Sequence, residues 1–282
     1  MNGIVLINKP VGITSFDVVI TARKVFETKK IGHTGTLDPF ASGLLILCVG
    51  KATKLVDKFL NANKEYVATI KFGNHYDTFD TTGKIINTDS KDITEAEFIE
   101  TINTFKGAYL QKAPIYSAIK IDGKKLYEYA RKNIEVDTPT RKVFINDINY
   151  LTKVSHNIFK FSVDVSKGTY IRSLAVDIAD KLNTFAALDA LVRTKIANYH
   201  LNDSVNLDKL TKDNLITFEM LFKDMPKIEL SDYLINLVKN GIYLDERQTT
   251  LEEDFIVIDK NNKMIAYYEM IAENQYKPVI IF

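Results

Sequence analysis

Asp38 is the residue in this chain best placed to do chemistry. It stands immediately before Pro39 within residues 31–43, IGHTGTLDPFASG, a segment that also holds His33 and the glycines Gly32, Gly35 and Gly43. Glycine admits backbone angles that other residues avoid, and proline drives its predecessor toward an extended conformation, so Asp38 is expected in a stiff, non-helical loop. A carboxylate presented in one direction can act as nucleophile or base on a closely placed substrate atom. On local sequence alone, an Asp-Pro step among glycines is more often an ordinary turn, so distant parts of the chain must decide.

The chain has 282 residues, 46% of them hydrophobic, enough for one large domain and a small appendage. Its net charge of +1 carries no global basic signature, so nucleic-acid binding has to rest on local clusters. Arg23, Lys24, Lys29, Lys30, Lys51, Lys54, Lys58 and Lys64 surround the Asp38 segment, although solvated helix faces give the same pattern. The single cysteine, Cys48, lies in the apolar run LLILCV; it reads as a buried thiol in a reducing compartment. No charged-then-apolar leader and no apolar run near the ~20 residues of a membrane span is present, so a cytoplasmic protein without membrane attachment is expected. GxGxxG, P-loop, CxxC and HExxH patterns are missing and the four histidines are scattered, so neither metal nor cofactor is expected.

The elements that must hold Asp38 follow from periodicity. Residues 3–7 form a short apolar strand stopped by the turn Lys9-Pro10-Val11-Gly12. Thr14 with Asp17 starts a helix whose apolar face is read as Phe16, Val19, Ile20 and Phe26. A buried strand covers residues 44–49, a helix carries Leu55, Val56, Phe59 and Leu60, and Tyr66, Ala68, Ile70 and Phe72 line one face of a strand. Residues 77–83 resemble a calcium loop but lack its alternating ligands and closing glutamate. Thr94 and Glu97 cap another helix. Residues 113–132 interleave tyrosines with lysines, which suits base stacking beside phosphates and equally suits packing of a short helix. Strands are expected at 143–151 and 158–165, and the second runs into Ser166-Lys167-Gly168-Thr169-Tyr170, where a helix begins with Ile171 and Arg172. A cation in a helix's first turn opposes the helix dipole, so an anion should lie near Arg172, and Asp38 is the candidate. A further strand follows residues 191–194. Beyond a boundary near 224–227 come a helix bearing Leu230, Tyr233, Leu234 and Leu237, and strands at 255–258, 264–268 and 278–282.

Four motifs occur together in one order: GHTGTLDPFASG at 32–43, KEY at 64–66, SKGTYIRSL at 166–174 and LVRT at 191–194. With LINKPVGITS at 6–15 and APIYSAIK at 113–120, this arrangement resembles the TruB-type pseudouridine synthases, over roughly residues 3–200. The resemblance implies an α/β (α+β) pseudouridine-synthase fold with a central mixed, largely antiparallel sheet and flanking helices. A catalytic domain at 1–226 would carry an RNA-gripping insertion at about 113–141, and 227–282 would form a reduced PUA-like module. The implied partner is tRNA, gripped by its T-arm stem-loop and modified at uridine 55 by a monomer with no cofactor. Asp38 would be the nucleophile, Tyr66 would lie on the base and ribose side, and Arg172 would pair with Asp38. His33 would hold everted T-loop nucleotides, Leu191 would line the uracil pocket, and Lys9, Lys64, Tyr170 and Arg193 would contact substrate RNA. Val192 stands where the family usually has the first of two arginines, which removes one phosphate or structural contact.

Isomerisation at a uridine gains and loses no atoms overall, in keeping with a cofactor-free site. Covalent addition of Asp38 to sugar or base, or its removal of a ribose proton, remain open, and all three need it ionised. Burial alone would neutralise an aspartate, whereas a guanidinium in contact lowers its pKa by ~1–3 units, which favours Arg172 as the partner. Tyr66 could stack on the flipped base or take the C5 proton. Two other readings stand beside this one: a pseudouridine synthase for another RNA, and a tRNA-binding or folding protein without chemistry.

Overall fold

The computed structural model describes residues 1–132 and 134–282. Among these, eleven strands form one sheet whose main path runs Val205–Asn206, Gly3–Lys9, Ser42–Val49, Ala186–Ile196, Lys64–Phe72, Ile158–Val165, Thr140–Ser155, Gly107–Lys112. Pairing along it is antiparallel except where Gly3–Lys9 meets Val205–Asn206 and where Ala186–Ile196 meets Ser42–Val49. The mixed, largely antiparallel sheet expected from the resemblance is therefore observed. None of the described helices is long and apolar enough to cross a membrane.

Strand composition follows from what covers each face. Gly3–Lys9 and Ser42–Val49 carry unbroken apolar runs, Ile4 to Ile7 and Leu44 to Val49, because both of their faces are covered. Val5, Ile7, Leu45, Leu47 and Val49 pack under Val18, Val19 and Ala22 of the helix Ser15–Val25. The alternate residues Ile4, Leu6, Leu44, Ile46 and Cys48 pack against Ile256, Ile258, Tyr267 and Ile280 of a separate five-stranded sheet at 227–281. Ile158–Val165 instead alternates: Phe159, Phe161, Val163 and Val165 point into a core closed by the helices Glu95–Asn103 and Ile171–Lys181. Phe98 sits at its centre, stacked on Phe159 at 4.8 Å with Phe72 and Phe161 edge-on.

Local capping signals survive into the fold. Thr14/Asp17 and Thr94/Glu97 both form reciprocal capping boxes. The inward face of the first helix, however, is Ser15, Val18, Val19 and Ala22, leaving Phe16 and Ile20 exposed. Ser15 turns inward to hydrogen-bond the Asp38 loop, and this sets the helix's rotation. The C-terminal helix Asp232–Lys239 likewise buries Ile235 and Val238 and exposes Tyr233. Residues 191–194 lie inside the long strand Ala186–Ile196 rather than before a separate one.

Phe98→Ala removes the ring on which this aromatic core closes, and should destabilise the protein by about 3–5 kcal/mol in chemical denaturation with little change in the transition's slope.

Candidate active site

Two neighbours tie the Asp38 loop down. Ser15 Oγ accepts from the Leu37 amide at 2.8 Å and donates to the Leu37 carbonyl at 3.2 Å, while the Gly12 amide donates to the Pro39 carbonyl at 2.7 Å. This explains why the KPVGITS and GTLDPFASG segments belong together: the first is the clamp on the second. Gly43, at φ 105°, lies so close to the Arg193 backbone that a Cβ would fall 2.4 Å from the Arg193 carbonyl oxygen, so only glycine closes the loop here.

Asp38 faces a cavity of about 310 Å³, lined also by Tyr66, Tyr116, Tyr170, Arg172 and Leu191. That volume lies at the small end of the range for sites that take a small molecule or a single flipped base, roughly 300–1,000 Å³. Arg172, 5% exposed, donates from Nε to Asp38 Oδ2 at 2.9 Å. Its Nη1 donates to the Thr78 carbonyl and its Nη2 to the Tyr116 carbonyl, both at 2.8 Å. The carboxylate of Asp80, also buried, lies 3.9 Å from Nη1. Asp80 was not legible as a site residue because its segment reads as a degenerate calcium loop. Among the described residues no cluster of His, Cys, Asp and Glu has the makings of a metal site.

The helix bearing Arg172 is positioned by a residue with no motif signature. Gln111 is fully buried; its Oε1 accepts from the Tyr170 amide at 2.8 Å and its Nε2 donates to the Tyr170 carbonyl at 3.0 Å. Tyr170 is the N-cap of Ile171–Lys181, so one side chain fixes the helix start at both its donor and its acceptor. Arg141 lies at 5.2 Å over the ring of Tyr170, which lines the cavity.

Asp38's pKa is raised above the ordinary aspartate range. Burial is the largest cause; Arg172 opposes it, Asp80 adds to it, and Lys9 also lowers it. The guanidinium thus moderates the cost of burial without reversing it, contrary to the expectation that it would hold the carboxyl low.

Of the residues expected to touch RNA, Leu191, Tyr170, Lys64 and Arg193 line the cavity with Tyr66. His33 lies in the short strand Ile31–His33, outside the cavity lining, and its Nδ1 accepts from the Gly35 amide at 3.4 Å. Burial, then Arg193, lowers its pKa. Lys9, Lys64 and Arg193 point inward rather than offering exposed cations to a phosphate backbone. Lys9 Nζ donates to the Pro10 and Ile13 carbonyls, and Lys64 Nζ to those of Phe59, Leu60 and Ala62. Arg193, 1% exposed, binds the carbonyls of Leu44 and Gly35. Burial lowers both lysine pKa values to about 8. Buried cations need hydrogen-bond acceptors, and loop carbonyls supply them here.

A half-buried carboxylate paired with a buried arginine faces one cavity on a mixed, largely antiparallel sheet. A family model described as TruB family pseudouridylate synthase (N terminal domain) matches residues 23–171. The tRNA pseudouridine synthase B of Acholeplasma laidlawii (strain PG-8A) is 50% identical over 100% of both chains, and that of Onion yellows phytoplasma (strain OY-M) is 47% identical with the same coverage. The fold also matches a solved Cbf5–Nop10–Gar1 complex at TM-score 0.73 and 23% identity, covering 99% of this chain and 84% of the matched one. The chain belongs to the TruB family of pseudouridylate synthases.

Titration of the Asp38 carboxyl by carbon NMR should separate the two charges around it. Removing the like charge with Asp80→Asn should move its midpoint down, and removing the guanidinium with Arg172→Gln should move it up; no movement in either variant would show that the Asp38 environment is set by burial alone.

Proposed function

We propose that this chain is a tRNA pseudouridine(55) synthase, an isomerase that converts a T-loop uridine of tRNA to pseudouridine with Asp38 as nucleophile or base. The observation that carries this reading is the convergence of Asp38, Tyr66, Arg172 and Leu191, from four separated segments, on one cavity sized for a single flipped base. Near-full-length relatives with that activity support tRNA as the substrate.

In this reading the glycosidic bond from ribose C1′ to uracil N1 breaks, the base turns within the cavity, and C1′ joins C5. N1 gains a proton, and C5 gives its proton to a base. Asp38 must be ionised whether it adds to sugar or base or removes a ribose proton. Arg172 fixes the carboxylate's direction and lessens the cost of burying its charge. Tyr66 stacks on the extruded base, returning ~1–3 kcal/mol of the unstacking cost. Its hydroxyl is the candidate acceptor of the C5 proton. Lys9, Lys64 and Arg193 act from inside as supports of the loop. Tyr170 and Arg141 meet the RNA at the mouth, and the segment about 113–141 grips the T-arm. One chain supplies every named residue, which supports a monomer, and residues 227–282 serve as a PUA-like module on a 1–226 catalytic domain. A tRNA substrate supports a cytoplasmic location.

Tritium release from tRNA labelled at uridine C5 tests the assignment. The parent should release tritium and the Asp38→Asn variant should not, while both bind tRNA. No release by a folded, tRNA-binding parent would overturn the tRNA reading. Tyr66→Phe should keep binding and lower the single-turnover rate by about 10²–10⁴-fold if the hydroxyl transfers the proton, and by much less if stacking alone matters. Since Asp38 must be ionised and its pKa is raised, the rate should fall on acidification through an apparent pKa above the usual aspartate range.

A further inference from the structure

The turn that faces Arg172 is held from behind by a stack of three rings. His75 lies between Phe79 and Phe185, with ring centroids 5.7 Å and 5.6 Å away and planes tilted by 26° and 18°. Phe79 sits at φ 64°, a left-handed conformation that residues other than glycine avoid. Its two chain neighbours are the ones that touch the site: Thr78 gives its carbonyl to Arg172 Nη1, and Asp80 brings its carboxylate to the same nitrogen. A side chain that departs from the ordinary backbone region at that position points one way into the stack while its neighbours point the other way onto the guanidinium.

The turn is also laid on the sheet at two adjacent residues, Leu188 and Asp189, the latter accepting from Thr81 Oγ1 at 3.2 Å. The Leu188 amide donates to the Phe79 carbonyl at 3.0 Å, and the Thr81 amide donates to the Leu188 carbonyl at 2.9 Å, an isolated bridge on the strand Ala186–Ile196. These bonds hold the Thr81 side of the turn and the Phe79 backbone, and the ring clamp adds a hold on the Phe79 side chain, between Thr78 and Asp80 in the chain. Phe185 lies just before the same strand, which further on carries Leu191 of the cavity wall. The stack is half-buried, and His75 Nε2 is buried without a hydrogen-bond partner among the described residues. An unpaired ring nitrogen costs stability, so contact with the two phenyl faces, rather than hydrogen bonding, holds this ring in place.

We propose that the Phe79–His75–Phe185 stack is a positioning device for the isomerisation: it pins the turn carrying Thr78 and Asp80, thereby fixing the orientation of Arg172 and, through Arg172, the carboxylate of Asp38. The proposal rests on the reading of Asp38 and Arg172 as the reacting site. The charged groups that face Asp38 are Arg172, Asp80 and Lys9. Loosening the turn weakens the hold of Arg172 and of Asp80 on it; the attraction of Arg172 is the stronger of the two, so the Asp38 midpoint should rise.

His75→Ala, Phe185→Leu and the ring-preserving His75→Phe test this on the full chain, with thermal unfolding as a check on folding. In His75→Ala and Phe185→Leu, the single-turnover rate of tritium release should fall by about 10–100-fold with tRNA affinity changed by less than about 2-fold, as expected for misorientation of a reacting group. Carbon NMR of the tRNA-free protein should show the Asp38 midpoint moved to higher pH, and His75→Phe should restore both rate and midpoint. An unmoved rate and midpoint in folded His75→Ala protein would overturn the proposal, as would loss that His75→Phe fails to rescue. If the parent releases no tritium, the functional reading falls, and the Asp38 midpoint in the free protein still decides whether the stack governs the pair.

Discussion

Arg172 is a charged group at 5% exposure, and most of the site can be understood as what such a burial requires. A buried guanidinium without partners would cost far more than a domain of this size can absorb. Here each of its three nitrogens has an acceptor: Asp38 at Nε, the Thr78 carbonyl at Nη1 and the Tyr116 carbonyl at Nη2. These come from the motif loop, from the turn at 77–83 and from the aromatic segment after 113. One side chain thereby ties together segments far apart in sequence. The cavity beside Asp38 exists because those segments meet around the guanidinium rather than packing against one another.

The remaining supports keep each of these segments still. Ser15 and Gly12 hold the Asp38 loop, Arg193 binds it to the neighbouring strand through the Gly35 and Leu44 carbonyls, and Gln111 fixes the start of the helix that delivers Arg172. Ser15, Arg193 and Gln111 are buried, and all of these groups use neutral carbonyls or amides as partners. A neutral acceptor satisfies a cation without cancelling its charge. Arg193 lowers the pKa of both Lys64 and Lys9, which shows that the cations feel one another. The outcome is a cluster of buried cations beside the Asp38 loop.

Much of this was legible in the sequence where the signal is local. The Asp38 loop, the two capping boxes, the alternating strand ending before Ser166 and the helix beginning at Ile171 are all read from short-range periodicity and turn chemistry. The ion pair of Arg172 with Asp38 followed from one long-range argument, that a cation in a helix's first turn needs an anion. Other features depend on the tertiary path. The resemblance implies RNA contacts for Lys9, Lys64 and Arg193, and no pattern in the sequence announces the loop carbonyls that their cationic groups meet. Asp80 and Gln111 carry no motif, and their partners lie 92 and 59 positions away along the chain. Phe16 and Ile20 match the helical period, but the hydrogen bonds of Ser15 decided the helix's rotation.

The direction of Asp38's pKa follows from the same constraint. A carboxylate that must meet an extruded base cannot remain in bulk water, and burial raises its pKa whatever else is nearby. Arg172 and Lys9 act against that rise, and Asp80 acts with it. An acid placed beside the arginine looks counterproductive if the only requirement is an ionised Asp38. It is consistent if the requirement is also directional, because a guanidinium held by one carboxylate can pivot, whereas one that also faces Asp80 and Thr78 has a single orientation. The site gives up some ionisation of Asp38 for a fixed direction of its carboxylate.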